Sequence, residues 1–474
     1  MDARAHYIDG HWVASRGGDV RDIINPSDRS VIGKVALGTP ADVDAAVAAA
    51  QRAFDHWSQT SVATRLGYLK AIHAALVARN DALADLISAE MGAPRGFARG
   101  AQAPSGAQQF HEVIRALEGY QFEYPMGTTM IRREAVGVCA LITPWNWPLN
   151  QAAAKVAPAL AAGCTMVLKP SELAPLDAML LAEIIDEAGV PPGVFNLVFG
   201  TGDGVGAALS RHPGVDMVSF TGSTRAGMAV ATHAAATIKR VALELGGKAP
   251  NLVLPDADFA SAIPASVRTA MGNSGQSCIS AARLLVPVDR VEEVKALAVA
   301  TAAAMTLGPP AADPDLGPIA NEAQYQRVIS HIAHAISEGA QVLTGGVDGP
   351  PDLAPGLFVR PTVLAGVTPD MAIATEEVFG PVVMIMTYDG IEEAICLANA
   401  TPYGLSAQLW GGDRAGMKAV AARLRVGMVH LNGAPLDPAA PFGGYKMSGH
   451  GREWGVAGLE EYLEIKSVYN GNIN

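Results

Sequence analysis

Four cysteines in 474 residues are too few for a disulfide framework. Cys139, Cys164, Cys278 and Cys396 also lack metal-ligand or redox spacing, so no metal is expected. Free thiols in a cytoplasmic setting are the natural reading. Charge is scarce as well: Asp, Glu, Lys and Arg make up 17% of the chain and sum to −12. With so few basic residues, neither nucleic acid nor an anionic membrane is expected as a partner. Long apolar runs are missing too. The longest candidate, "QAAAKVAPALAAGCTMVL", is broken by Lys155 and Pro158 and reads as no membrane span. The opening "MDARAHYIDGHWVAS" has no apolar core of signal-peptide type.

What is present is a large apolar fraction, 50% of the residues, in a chain long enough for two or three domains. In "GTPADVDAAVAAAQRAF", Thr39 can cap a helix and Pro40 suits its first position. Val43, Val47, Ala50 and Phe54 then share one face. A helical stretch is predicted over 62–118. Over 137–247, five apolar strand-like runs alternate with four helical ones. The runs are continuous rather than alternating, so both faces of the sheet are buried. The pattern predicts a doubly wound parallel α/β sheet that binds its ligand at the strands' carboxyl ends. A second α/β region follows over 248–447, with strand-like runs such as "ARLLVPV" and "PVVMIMTY". The stretches 121–137 and 459–474 read as a hairpin and an exposed strand that can form one small extra β-sheet. Its open edge invites a second subunit.

Several short stretches carry chemistry. "VFGTGDGVGAA" and "FTGSTRAG" are strand–glycine–helix turns that either bind phosphate or merely connect. In "VLKPSE", Lys169 and Glu172 can hold a ribose diol or form a surface pair. In "ITPWNWP", Asn146 can aim at a developing oxyanion or brace a loop. Glu244, between two leucines at a strand end, suits a general base or a buried salt bridge to Lys248. Cys278 lies in "GNSGQSCIS", where small neighbours leave room for a substrate. Taken alone, it reads better as a loop thiol with no role.

Together "PWNWP", "KPSE", "FTGST", "ELGGK", "GQSC", "EEVFGP" and "PFGGYKMSG" resemble the NAD(P)-dependent aldehyde dehydrogenase superfamily, in the family's order and spacing. The resemblance spans essentially the whole chain. It implies Cys278 as nucleophile and Glu244 as the base that activates water. Asn146 and the Cys278 N–H would form the oxyanion hole, and Glu453 would help remove the base's proton. It implies NAD as cofactor, with NADP possible. Lys169 and Glu172 would hold the adenosine ribose, Gly222 and Ser223 the pyrophosphate, and Gly202 the turn beside the adenine. Glu376 would hold the nicotinamide ribose, with Phe379 near the ring. Ile142, Thr143, Pro144, Trp145, Gly206, Phe220, Gly227 and Leu245 complete the implied cofactor site. Trp147, Gln151, Ser277, Ile279 and Phe442 would line the substrate pocket.

The implied reaction is oxidation of an aldehyde to a carboxylic acid through a thiohemiacetal and a thioester. Two alternatives stand beside it: a CoA-acylating semialdehyde dehydrogenase, and a non-catalytic NAD-binding or structural relative. Glu244 favours hydrolysis over CoA. The glutamate of "KPSE" suits the 2′-hydroxyl of NAD and would repel a 2′-phosphate. No cation in these loops is placed to hold a substrate carboxylate, so an uncharged aliphatic or aromatic aldehyde is expected. Arg283 is close to Cys278 in sequence, but strand direction decides where it points. The implied domains are 1–116 with 138–247 for cofactor, 248–447 for catalysis, and 117–137 with 458–474 for assembly into a homodimer or homotetramer.

Overall fold

The computed structural model describes residues 2–472. Met1, Ile473 and Asn474, the last two within the implied assembly stretch, lie outside the described residues. The chain opens with two hairpins, β1 (Ala5–Ile8) with β2 (His11–Ala14) and β3 (Val20–Ile24) with β4 (Val31–Ala36). The helix Pro40–Trp57 follows, with the Asp42 carboxylate accepting from the Thr39 N–H and hydroxyl at its start. Val43, Val47 and Ala50 are buried as expected, while Phe54 is only half-buried. The stretch 62–118 is helical but broken. Gly92 takes a left-handed conformation (φ 84°) after Asn80–Met91. A π-turn at Ala98–Gln102 precedes the helix Ala103–Glu118.

Next come β5 (Glu123–Met126) and β6 (Thr129–Ala135), then the five strands expected of the doubly wound sheet. These are β7 (Val138–Ile142), β8 (Thr165–Lys169), β9 (Phe195–Leu197), β10 (Met217–Thr221) and β11 (Arg240–Glu244). They pair in parallel in the order β11-β10-β7-β8-β9. Alternate residues enter two different cores: Cys139, Leu141, Met166 and Leu168 on one face, Val138, Ala140, Ile142 and Val167 on the other. That is why these strands read as unbroken apolar runs. The sheet also carries antiparallel strands at both edges, which the apolar pattern does not mark. The β1–β2 hairpin pairs against β9, and Gly449–His450 pairs against β11. They cover the backbone groups that an open edge would leave exposed.

The second sheet contains β12 (Pro250–Val253), β13 (Arg283–Pro287), β14 (Gln341–Thr344), β15 (Thr362–Ala365), β16 (Val382–Tyr388), β17 (Ser406–Trp410) and β18 (Met428–Leu431). Its order is β14-β15-β16-β13-β12-β17-β18, parallel except for β14. β19 (Gly449–His450) then returns to the first sheet, and β20 (Leu463–Val468) lies antiparallel on β6. The hairpin and the terminal strand thus form one three-stranded sheet, β20-β6-β5. Among the described residues, no helix is long and apolar enough to cross a membrane.

Candidate active site

β7 and β10 are neighbours in the first sheet, and the chain leaves them toward opposite edges. A crevice must open between their carboxyl ends, because the following connections diverge. β7 delivers Pro144, Trp145 and Asn146 there, and β10 delivers Thr221, Gly222 and Ser223. β11 ends beside them with Glu244, Leu245 and Gly246. The second sheet supplies Cys278 and, from the loop entering β16, Glu377 and Phe379. The cavity is about 250 Å³, and Gln151, Gln324 and Arg327 complete its wall.

The Cys278 loop is held by a buried amide network. Asn146 donates from Nδ2 to the Gln276 carbonyl (3.1 Å), and Asn273 donates to the same oxygen (3.1 Å). Gln102 bridges the Asn146 carbonyl and Asn273 Oδ1, both at 3.1 Å. Gln276 is fully buried and accepts from the Ala320 N–H at 2.9 Å. Asn273 and Ser274 adopt left-handed backbone (φ 56° and 55°) inside this network. Gly275 is compelled: φ is +71°, and a Cβ there would lie 1.9 Å from the Gly380 carbonyl oxygen. The Cys278 thiol is half-buried. Burial, then the charges of Glu377 and Glu244, push it well above the ordinary thiol range.

Glu244 is 4% exposed, and neither carboxylate oxygen has a partner among the described residues. Burial and then the charge of Glu453 hold its carboxyl well above the usual range, against the pull of Lys155 and Arg452. It therefore forms no salt bridge to Lys248. That lysine is driven down to about 7 by burial and by Arg283, with Glu377 opposing the shift. Gly443 gives Glu244 its space, since a Cβ there would meet Oε1 at 2.7 Å. Behind it, Glu453 pairs with the fully buried Lys155. Sequence reasoning does not single out Lys155 as a site residue. Its one signal is that it is the single cation in the helix Pro148–Ala162, whose residues are all buried.

Of the two adjacent glutamates in "EEVFGP", the expected one is on the wrong side. The Glu376 side chain is 63% exposed and faces His331. Glu377 lines the cavity, accepts from the Gly247 N–H (2.9 Å) and is pushed up to about 7 by burial. The reason is geometric: successive side chains of an extended segment point to opposite sides. The glycine pair after Glu244 makes this approach possible. A Cβ on Gly246 would meet Glu377 Oε2 at 2.4 Å, and one on Gly247 the Cys278 carbonyl oxygen at 2.4 Å.

Lys169 and Glu172 meet at 3.1 Å just past β8, outside the cavity wall. Thr143 and Ile142 are buried on the approach to Trp145, which packs edge-on against Phe379 at 5.6 Å. Ser223 caps the helix Thr224–Ala235. A Cβ on Gly222 would strike the Phe220 ring (2.6 Å), and one on Gly227 would strike Leu245 (2.5 Å). Gly202 and Gly206 bound a π-turn after β9, away from the cavity wall. The crevice leaves polar groups available to a ligand. The buried hydroxyls of Thr143 and Thr221 have no partner among the described residues, and Thr221 lines the cavity.

On the other side of Cys278, Trp147 donates to the Ser277 hydroxyl (3.0 Å) and stacks edge-on with Phe97 (5.5 Å). Ile279 is half-buried, and its carbonyl accepts from the Ser406 hydroxyl. Phe442 stacks on Trp454 at 4.7 Å, and its backbone pairs with that of Glu453. Arg283 points away. It is 2% exposed and donates to the Lys248, Leu397 and Ala398 carbonyls.

A doubly wound sheet open at its switch point is an architecture shared with dinucleotide-binding proteins, which hold the ligand in that crevice. The aldehyde dehydrogenase family model matches residues 12–468, so the chain belongs to the aldehyde dehydrogenase family. A 3-succinoylsemialdehyde-pyridine dehydrogenase from a Pseudomonas species is 53% identical over 475 residues, covering 99% of this chain and 100% of that protein. Among solved structures, a cysteine-to-alanine mutant of aldehyde dehydrogenase C from Pseudomonas syringae, complexed with NAD+ and octanal, matches with a TM-score of 0.98. It is 51% identical and covers 99% of this chain and 97% of that one. Betaine aldehyde dehydrogenase from Staphylococcus aureus, in complex with NAD+, matches at a TM-score of 0.95 and 38% identity, covering 99% of this chain and 95% of that one.

Proposed function

We propose that this chain oxidises an uncharged aldehyde to its carboxylic acid, using NAD, with Cys278 as nucleophile. The observation that carries this reading is the meeting of Cys278, Asn146 and the unpaired Glu244 in one cavity. The Cys278 thiolate adds to the aldehyde carbon and moves the carbonyl electron pair onto oxygen. One Asn146 amide hydrogen is spent on Gln276, which leaves the other, with the Cys278 N–H, for the oxyanion. Bound NAD+ supplies the acceptor for the hydride that leaves this carbon. Cys278 then carries a thioester. Glu244 takes a proton from water, which attacks the thioester and releases the acid. The Lys155–Glu453 pair next to Glu244 gives that proton a way out.

Glu377 takes the place of Glu376 toward the nicotinamide ribose. Lys169 and Glu172 serve the adenosine ribose, Gly222 and Ser223 the pyrophosphate. The aromatic surroundings of Trp147 and Phe442, together with relatives named for a pyridine semialdehyde and solved with octanal, favour an aliphatic or aromatic tail without a carboxylate. Glu244 favours water over CoA as the attacking group. The proposal includes the domain boundaries 1–116 with 138–247, 248–447, and 117–137 with 458–474. It includes a homodimer or homotetramer formed through the β20 edge, and a cytoplasmic setting that suits four free thiols.

The test is Cys278→Ala, assayed for NADH formation over a panel of aldehydes and, separately, for NAD binding by calorimetry. Oxidation is expected to vanish while NAD binding persists. An active Cys278→Ala enzyme would overturn the assignment.

A further inference from the structure

We infer that Gln151 is a specificity residue whose side-chain amide selects aldehydes with a second carbonyl oxygen in the tail, as a ketone, ester or amide. The inference deepens the aldehyde oxidation proposed above and rests on it. Gln151 lies on the helix Pro148–Ala162, in which every residue is buried. Its backbone N–H donates to the Trp147 carbonyl at 2.9 Å, so the two residues sit one turn apart on one face. Lys155 follows one turn later on that face. An indole, an amide and an ammonium thus come in succession, and the amide lines the same cavity as Cys278.

The neighbours along the helix are committed elsewhere. The Trp147 indole N–H donates to the Ser277 hydroxyl at 3.0 Å, Lys155 pairs with Glu453, and Asn150 donates to the Ser105 carbonyl at 3.3 Å. Gln151 is 7% exposed, and its Oε1 is inaccessible and has no partner among the described residues. Its Nε2 forms no hydrogen bond among the described residues either, and it is the end left to face the cavity. A buried amide in this state has given up its bonds to water without replacing them. An amide N–H donates, so it selects an acceptor. A carbonyl oxygen supplies one without bringing a charge to desolvate. A plain alkyl tail in its place leaves the amide shut in and unpaired, which is the larger penalty. Trp147, packed edge-on against Phe97 at 5.5 Å, offers apolar surface to the methylene groups between the two carbonyls.

The experiment compares kcat/KM for NADH formation from heptanal and from its derivatives with a ketone at the fourth, fifth or sixth carbon. The enzymes are the unaltered chain, Gln151→Met and Gln151→Leu. The unaltered enzyme is expected to prefer at least one of the ketoaldehydes over heptanal by about tenfold or more. Gln151→Met nearly keeps the side chain's length and removes the amide, so it should bring that ratio to within about twofold of unity. Gln151→Leu should do the same. The readout is a ratio measured on one protein sample, so a fraction of unfolded variant cancels from it. No preference in the unaltered enzyme, or a preference that survives in Gln151→Met, would overturn the inference and leave the oxidation itself standing. If the unaltered enzyme reduces NAD with none of these aldehydes, the oxidation reading falls and this inference with it.

Discussion

Burial disfavours the charged forms of Cys278 and Glu244, which are the forms their proposed chemistry uses. The charges of Glu377 and Glu244 add to the upward shift of the thiol, and that of Glu453 to the upward shift of the carboxyl. A positive charge arriving beside the thiol favours the thiolate by offsetting those carboxylates. Glu244 acts only once the thioester has formed, which separates the two half-reactions experimentally. Glu244→Gln is expected to release one equivalent of NADH per site and then stall, with steady-state turnover reduced about 10²–10⁴-fold. Rapid-mixing absorbance checks this, and undiminished turnover would remove Glu244 from the role. Glu377 gives a stability prediction. Its folded pKa is raised from 4.5 to about 7, so between those values the folded state binds more protons than the unfolded one. Its contribution to stability is therefore lost as pH rises from about 4.5 to about 7. Glu377→Gln should melt with the parent enzyme at about pH 4 and above it at about pH 8, by scanning fluorimetry. Equal melting at both pH values would refute the shift.

At the scale of elements, the decisive piece is the loop between the helix Phe259–Met271 and β13. It must turn sharply enough to bring Cys278 to the cofactor sheet, and left-handed residues at 273, 274 and 275 make that turn. The glycines within it are not equivalent. Gly275→Ala meets both a positive φ and the Gly380 carbonyl at 1.9 Å, whereas Gly272 has nothing within 4 Å. Gly275→Ala is expected to cost about 1–3 kcal/mol in backbone strain alone and to abolish turnover. Gly272→Ala should leave melting temperature and activity near those of the parent. Thermal melts and initial rates on the pair check this, and an active, stable Gly275→Ala enzyme would contradict the loop geometry. The "EEVFGP" segment makes a related point. Its sequence names two glutamates, and only the backbone direction into β16 selects Glu377 for the cavity.

For the whole molecule, the three-stranded sheet β20-β6-β5 leaves one edge of β20 unpaired among the described residues. Ile465 (60% exposed) and Tyr469 (82% exposed) put apolar surface on or just after that strand. β18 leaves the corresponding open edge on the seven-stranded sheet. Open edges with apolar side chains are rarely left bare. The parent enzyme is expected to run as a dimer or larger by light scattering. Ile465→Glu combined with Tyr469→Ser should shift it toward monomer. A monomeric parent would refute assembly through this edge.

The apolar runs of 137–247 and the seven motif stretches are legible in the amino-acid sequence alone, because strand burial and backbone-constrained turns leave marks in adjacent residues. The doubly wound sheet, the first helix beginning at Pro40 and the small third sheet follow from such local marks, and the structure has all three. What depends on distant segments leaves little trace. Lys155 meets Glu453 298 positions away, so its role is invisible in an alanine-rich helix. The antiparallel edge strands are short, and their burial comes from packing rather than from their own pattern. Even the choice between Glu376 and Glu377 is tertiary, since side-chain direction depends on backbone angles that two like residues in a row do not reveal. The order of amino acids supplies the chemical groups and the local turns that present them. Which of them share one cavity was decided only when the two sheets met across the Cys278 loop.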